Sequence, residues 1–174
     1  QYVQSILQVS KSTETIEIDA DTRLTPQSVD PILRSAGAVI AAVDDVMAGK
    51  ANNAFCAGRP PGHHASKAQA MGFCFFNNVA LGARHALEAH GLERVAIMDF
   101  DVHHGNGTQS IFKNEPRVFF ASTHRWMIFP KTGAADETGV GNLLNVPLAR
   151  GTKGDRFRQV FDEQVIPALD AFAP

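Results

Sequence analysis

Residues 99–107, DFDVHHGNG, follow an apolar run and bring together two aspartates, two histidines and an asparagine. Side chains two residues apart on an extended strand point to the same side, so Asp99, Asp101 and His103 can project together where the strand ends. A carboxylate oxygen and an imidazole nitrogen are good ligands for a divalent ion such as Zn²⁺. The alternative is a capped loop whose polar side chains bond only within the protein. The glycines of this stretch and a second histidine pair favour the metal site.

Residues 58–65, GRPPGHHA, form the second stretch that could do chemistry. His63 and His64 follow a Pro-Pro-Gly turn that can direct both rings into one cleft. Histidine suits general acid–base catalysis near a metal-bound water, because its ordinary pKa of about 6.5 lies near working pH. Metal coordination by these histidines is the competing role, although Asp101 and His103 already offer a carboxylate and an imidazole. Catalytic zinc normally takes three protein ligands, so a third has to come from elsewhere.

Predicted strands and helices alternate around these two stretches. Apolar runs predict strands at 53–58, 94–100, 117–123 and 143–148, and helical periodicity predicts helices at 2–9, from Thr25 to Gly49, at 76–90 and at 154–172. Such alternation indicates an α/β fold, a parallel sheet with helices on both faces. These sheets bind ligands beyond the carboxyl ends of their strands, and both stretches follow a predicted strand directly.

Composition excludes several classes of function. The chain has 174 residues, a net charge of −2 and 44% hydrophobic residues, with lysines and arginines scattered rather than clustered. Direct nucleic-acid binding and attachment to an anionic membrane are therefore not expected, and no apolar run approaches a membrane span. The two cysteines, Cys56 and Cys74, are too few for a disulfide framework and indicate free thiols in a reducing compartment. We expect a cytoplasmic location.

Four motifs in order resemble the zinc-dependent histone deacetylase family, which includes the acetylpolyamine amidohydrolases and belongs to the arginase/deacetylase superfamily. They are RPPGHHA, GFCFFNN, DFDVHHGNGTQ and FPKTG, at residues 59–65, 72–78, 99–109 and 129–133. The first and third are closer to class II and bacterial-type members than to class I. The resemblance implies an arginase/deacetylase-like fold and hydrolysis of the acetyl amide of acetyl-lysine in proteins or peptides. An acetylated polyamine is the alternative substrate.

The resemblance also implies roles for individual residues. Asp101 and His103 would be two zinc ligands, and His64 would be the general base, with His63 as its electrostatic and later acid partner. Asp99 would lie behind His63, and Asn106 behind His64.

Further matching residues concern the substrate and structural ions. Gly72, Phe73 and Phe129 would line the narrow tunnel that takes the acyl-lysine chain. A potassium or sodium ion would be held by the backbone carbonyls of Asp99, Asp101 and His103 together with the side chain of Ser122. A second such site would use carbonyls of two further residues, Phe112 and Val118.

Two features of the family have no counterpart in the sequence: an aspartate that is the third zinc ligand, and a tyrosine that stabilises the oxyanion. We therefore interpret residues 1–174 as a single partial deacetylase domain, with N- and C-terminal parts missing, and expect the isolated chain to be inactive. A catalytically inactive acyl-lysine binding module is the alternative from another functional class. A homo-oligomer is left open.

The remaining polar residues receive simpler interpretations. His104 is interpreted as a structural histidine, and His85 and His90 as surface residues or partners of a helix C-terminus. His124 and Trp126 are considered for the rim of the pocket. Either of the aspartates 19 and 21 could supply a rim carboxylate that holds the substrate backbone, and the spacing does not choose between them.

Overall fold

The structure, a computed structural model, describes residues 1–174, and its elements fall into two units, residues 1–90 and 91–174. The first unit contains helix α1, the short antiparallel strands β1 and β2, and helices α2 and α3. Their bounds are Tyr2–Val9, Ile16–Glu17, Arg23–Leu24, Val29–Met47 and Asn78–Glu88. The core of this unit joins α1, β2 and the start of α2 through Ile6, Val9, Leu24, Val29, Ile32, Ala70 and Phe75.

Helix α2 begins where the sequence predicts it. The backbone N–H of Thr25 donates to Ser28 Oγ at 3.2 Å, and the two hydroxyls lie 2.9 Å apart, so they form a capping box. Pro26 opens a short 3₁₀ turn, Pro26–Ser28, before the helix.

The second unit is built on a three-stranded parallel sheet of order β3-β4-β5. The strands are Val95–Asp99, Val118–Arg125 and Leu143–Leu148, with helix α4, Asn106–Phe112, between the first two. The chain then continues through helix α5, a π-helical turn and helix α6, at Gly154–Val160, Phe161–Val165 and Ile166–Phe172. These last helices pack against the sheet around Phe119, Ala121, Val146, Val160 and Val165.

The register of this sheet aligns polar side chains across its strands. Asp99 pairs with Ser122, and Ser122 pairs with Asn145 on the next strand. Because the strands are parallel, this row lies toward their shared carboxyl ends, where ligand sites of α/β sheets form. Asp99 is the last residue of β3, and Ser122 lies opposite it in this register.

One local prediction is wrong. Residues 53–58 form no strand, and Phe55 is 91% exposed. An apolar run is stable as a strand only when a neighbour pairs its backbone, and the sheet contains β3, β4 and β5 alone. Residues 106–112, for which the sequence predicts no element, form helix α4, although asparagine and glycine at its start are poor helix formers. None of the helices combines the length and apolar character needed to cross a membrane.

Candidate metal centre and its surroundings

Asp101 and His103 lie just beyond the end of β3. Asp101 Oδ1 accepts a hydrogen bond from the backbone N–H of His103 at 2.8 Å and lies 3.2 Å from His103 Nδ1. Both side chains are about half exposed, at 50% and 40%. The His103 ring meets the Phe129 ring edge-on, with centroids 6.0 Å apart. The predicted ligand pair and one predicted tunnel residue are thus neighbours.

The spacing of this pair suits a metal ion. Two ligands at the Zn–O and Zn–N distances of proteins, about 2.0 Å each, are separated by about 3.3 Å at a tetrahedral angle. The observed 3.2 Å between Asp101 Oδ1 and His103 Nδ1 matches this separation. The pair therefore fits a zinc ion as two of its ligands.

Asp99 organises the turn that carries these ligands. Its Oδ1 accepts a hydrogen bond from the backbone N–H of Asp101 at 3.1 Å. A Cβ added at Gly105 would collide with Asp99 Oδ2, so glycine is required for the chain to pass this carboxylate. Asn106 begins α4, and its backbone N–H donates to the carbonyl of His104 at 2.9 Å.

His104 is a structural histidine, as predicted. Its side chain is buried, Nε2 lies 3.0 Å from Gln109 Oε1, and Nδ1 lies 2.7 Å from Thr132 Oγ1. The Gln109 amide nitrogen donates to the Glu137 carboxylate, which leaves Oε1 as the acceptor and puts the imidazole hydrogen on Nε2. Burial first, and then the neighbouring His124, lower the pKa of His104 to about 4.

His124, one of the two residues considered for the pocket rim, is buried and does not lie at a rim. The side chain is 1% exposed, since β4 is buried along almost its whole length. Its Nε2 donates to the carbonyl of Gly133 at 3.0 Å, and burial lowers its pKa. Nδ1 lies 3.0 Å from Ser122 Oγ. If the neutral ring accepts this hydroxyl hydrogen, the lone pairs of Ser122 are available to a cation.

The carbonyls predicted for a second monovalent cation converge on a side chain. Asn142 Nδ2 donates to the carbonyls of Phe112 and Val118, both at 2.8 Å, and to that of Glu115 at 3.0 Å. An amide NH₂ has only two hydrogens, so three carbonyl oxygens share two donors. The amide nitrogen therefore lies at the point where these carbonyls would meet an ion.

In the first unit, His63 and His64 lie side by side with ring centroids 4.0 Å apart, and His64 is only 5% exposed. The preceding loop is pressed against the start of α3, where a Cβ added at Gly62 would collide with the backbone nitrogen of Asn78. The carbonyl of Pro60 accepts hydrogen bonds from Ser35 Oγ at 2.9 Å and from Asn78 Nδ2 at 3.1 Å. These contacts hold in place the loop that leads to His63 and His64.

Asn77 fixes the other end of the same loop. Its Nδ2 donates to the carbonyl of Ala65 at 3.0 Å, and its Oδ1 caps α3 by accepting from the N–H of Ala80 at 3.1 Å. Sequence reasoning gave no role to the asparagine pair of GFCFFNN. Its only signal was an N-cap residue type directly before a helical run.

The predicted tunnel residues Gly72 and Phe73 form a tight turn. Both have positive φ, 54° and 65°, and the backbones of Met71 and Cys74 exchange hydrogen bonds across the turn at 3.0 and 2.9 Å. Phe73 is 56% exposed despite its apolar ring. A bulky residue held at positive φ is strained, and its N–H is anchored by Thr22 Oγ1 at 2.9 Å.

The two candidate rim carboxylates differ in their surroundings. Asp19 accepts hydrogen bonds from the N–H groups of Asp21 at 2.9 Å and Gly72 at 3.3 Å. Partial burial would raise the pKa of Asp19, but these hydrogen bonds and those from Thr22 outweigh it and lower the pKa. Both residues are exposed, but only Asp19 holds the turn at residues 72–73, through the N–H of Gly72.

Comparison with known proteins gives a consistent picture. A family model described as the histone deacetylase domain matches residues 1–174. The chain is 46% identical over 159 residues to a histone deacetylase-like amidohydrolase of Pseudomonas aeruginosa, covering 88% of this chain and 42% of that protein. It is 44% identical over 168 residues to the chloroplastic histone deacetylase 14 of Arabidopsis thaliana, covering 91% and 40%. The chain thus spans about half the length of the curated relatives it matches, or less.

Two solved structures show the same fold. The HDA15 HD domain matches with a TM-score of 0.94 at 38% identity, covering 99% of this chain and 52% of that one. An acetylpolyamine aminohydrolase from Burkholderia pseudomallei matches with a TM-score of 0.88 at 28% identity, covering 99% and 59%. The expected arginase/deacetylase-like fold is confirmed.

Proposed function

Because the chain belongs to the histone deacetylase domain family, we propose that it is part of a zinc-dependent amide hydrolase that removes acetyl groups from lysine side chains of proteins or peptides. The observation that supports this best is the 3.2 Å spacing of Asp101 Oδ1 and His103 Nδ1 directly after β3. In the proposal these atoms are two of the zinc ligands. The third ligand and an oxyanion-stabilising tyrosine would come from outside residues 1–174.

A zinc ion, when bound, supplies a Lewis acid for the amide carbonyl and makes a water molecule more acidic. His64 takes the proton of the attacking water, and His63 assists and then protonates the leaving amine. The contact between the two rings, 4.0 Å between centroids, supports a shared task. Asp99 and Asn106 act through these histidines as positioning residues, with the carboxylate favouring a protonated His63.

The proposed substrate channel uses Gly72, Phe73 and Phe129 as its wall. An exposed phenylalanine held at positive φ supports this role for Phe73. We assign the rim carboxylate to Asp21, because the oxygens of Asp19 already hold the backbone N–H groups of Asp21 and Gly72. An exposed Asp21 carboxylate can accept hydrogen bonds from the backbone of a bound peptide.

Structural monovalent cations complete the proposal. Ser122 lies opposite Asp99 in the sheet register, which supports a potassium or sodium ion held by Ser122 and the carbonyls of Asp99, Asp101 and His103. The convergence of Phe112 and Val118 carbonyls supports a second ion, in competition with the Asn142 amide.

An acetylated polyamine is the second candidate substrate, favoured by the similarity to the acetylpolyamine aminohydrolase. An inactive acyl-lysine binder is the third candidate. The single partial domain over residues 1–174, the inactivity of the isolated chain and the cytoplasmic location stay predictions. The question of a homo-oligomer stays open.

A comparison of substrates on the complete product of the gene tests the proposal. Acetate release from an acetyl-lysine peptide should exceed release from acetylputrescine, and His64→Ala should lower kcat by about 100-fold or more. Asp21→Asn should raise KM for the peptide with little change in kcat. Faster turnover of acetylputrescine would favour the polyamine reaction, and tight peptide binding without acetate release would favour the binder.

A further inference from the structure

Three side chains outside the proposed catalytic ligand set meet at the ends of α2 and α3. Asp44 Oδ1 lies 2.6 Å from His85 Nε2 and 2.7 Å from His90 Nε2. The ligand atoms of the three residues all lie within 4.8 Å of one another, and they are the one group of three metal-ligating side chains so placed in residues 1–174. We propose that Asp44, His85 and His90 form a second, surface site for a zinc-type divalent ion.

The packing of the two helices creates this meeting point. Asn78 Nδ2 donates to Ser35 Oγ at 3.0 Å, and a Cβ at Gly82 would lie 2.6 Å from Val39. Later residues of α2 thus contact later residues of α3, so the two helices run in the same direction. The next contact in this series joins Asp44 to His85. The two helices therefore end side by side.

His90 joins the pair because α3 ends early. The helix stops at Glu88, and Gly91 has a φ of 68° that turns the chain away. His90, two residues past the last helical residue, reaches the same carboxylate oxygen as His85, and their rings meet edge-on with centroids 5.2 Å apart.

The local electrostatics favour a cation. Asp44 lies in the last turn of α2 and His85 in the last turn of α3, and each helix C-terminus carries a partial negative charge. The neighbouring carboxylate of Asp45 is already paired with Lys50, with 3.0 Å between Nζ and Oδ1. One carboxylate and two imidazoles therefore remain as the ligand set.

The geometry requires only a small adjustment for zinc. Tetrahedral ligands at protein Zn–N and Zn–O distances lie about 3.3 Å apart, so the 2.6 and 2.7 Å contacts must open slightly. The side chains are partly exposed, at 49% for Asp44, 26% for His85 and 25% for His90. They can move, and an ion can enter from solvent. Two imidazoles select Zn²⁺, Ni²⁺ or Cu²⁺ over Mg²⁺ or Ca²⁺.

Binding of Zn²⁺ would exchange the Nε2 hydrogens for the ion. A neutral histidine moves its hydrogen to Nδ1, and a protonated one releases a proton. The bound ion would join the ends of α2 and α3, and a water molecule would occupy its fourth position. The expected result of binding is a more stable first unit.

The test is Zn²⁺ titration by calorimetry on a variant that lacks the proposed catalytic ligands, Asp101→Asn with His103→Ala. This background should still bind one Zn²⁺ and gain about 5 °C in Tm at saturation. Adding His85→Ala and His90→Ala should weaken that binding by roughly 100-fold. Asp44→Asn, which preserves side-chain shape, gives the same answer if the double variant fails to fold.

Asp45→Asn is the matched control, because it removes a neighbouring carboxylate outside the ligand set, and its affinity for Zn²⁺ should be unchanged. Equal affinity with and without His85, His90 or Asp44 would overturn the proposal. So would a background variant that binds no Zn²⁺ at all. Neither result depends on deacetylase activity, so failure of this proposal can be distinguished from failure of the proposed function.

Discussion

The side-chain amide of Asn77 donates to the carbonyl of Ala65 at 3.0 Å and so ties the histidine-bearing loop to the start of α3. Its oxygen simultaneously caps that helix through the N–H of Ala80. One buried residue thus performs two tasks. The helix predicted at 76–90 includes Asn77, so only the fold reveals both the cap and the tie to the loop.

Asn77→Ala should lower the free energy of unfolding by about 2 kcal/mol, because it removes an N-cap and leaves a buried carbonyl without its donor. The loss for Asn77→Asp should be smaller than for Asn77→Ala, since aspartate keeps a capping oxygen and loses only the donor. Urea unfolding measures both. Asn53→Ala, at an exposed position, is the control and should change little; an equal loss at both positions would refute the tie.

Gly133→Ala should be far more destabilising than Gly151→Ala, although both residues have a φ of 84°. A Cβ at Gly133 would lie 2.6 Å from the His104 ring and 2.7 Å from His124, whereas nothing lies within 4 Å at Gly151. We expect about 3 kcal/mol at Gly133 and about 1 kcal/mol, from backbone strain alone, at Gly151. Similar values in chemical denaturation would contradict the close approach to the two histidines.

Tyr2 should titrate at unusually high pH. Burial, with a smaller effect of Cys74, raises its pKa from 10.0 to about 12, and its hydroxyl donates to the carbonyl of Phe75 at 2.7 Å. The contribution of Tyr2 to stability is therefore complete below pH 10 and is lost as pH rises toward 12, because the unfolded chain ionises first.

Tyr2→Phe should cost about 1 kcal/mol at neutral pH, and the difference from the unmodified protein should shrink above pH 10. Tyr2 is the one tyrosine of the chain, so phenolate absorbance follows it directly. A titration midpoint near 10 in the folded protein would show that the hydroxyl is not protected.

Asn142→Ala should cost about 2 kcal/mol, since the carbonyls of Phe112, Glu115 and Val118 lose a shared donor. If these carbonyls can hold a monovalent ion, potassium should restore more stability to this variant than to the unmodified protein. Thermal melts in potassium and in tetramethylammonium chloride measure the difference. An equal response of both proteins would remove support for the second cation site.

The sequence predicts regular elements well where one periodicity dominates. The helix at 2–9 and the strand at 143–148 are confirmed at their predicted bounds. The predicted strand at 53–58 fails because strand formation depends on a partner, which no local pattern specifies. Helix α4 was missed because its first residues, Asn106 and Gly107, are poor helix formers.

In the candidate site, too, local patterns could be predicted and contacts between distant residues could not. Residue types and a spacing of two predict ligands at Asp99, Asp101 and His103, since all three lie on one short segment. The buried network of His104, Gln109 and Asn145 could not be predicted, because Gln109 Oε1 receives Asn145 Nδ2, at 2.7 Å, from 36 residues away. Likewise, His85 and His90 look like ordinary surface histidines until α2 brings Asp44 against them.

Zinc dependence of acetate release tests the central claim most directly. The complete gene product should lose activity on an acetyl-lysine peptide when zinc is removed by a chelator and regain it when zinc is restored. Asp101→Ala should remain at least ~100-fold less active with zinc present, while Asp136→Ala, at an exposed loop position, should behave like the unmodified protein. Full activity after verified zinc removal, or in Asp101→Ala, would contradict the account.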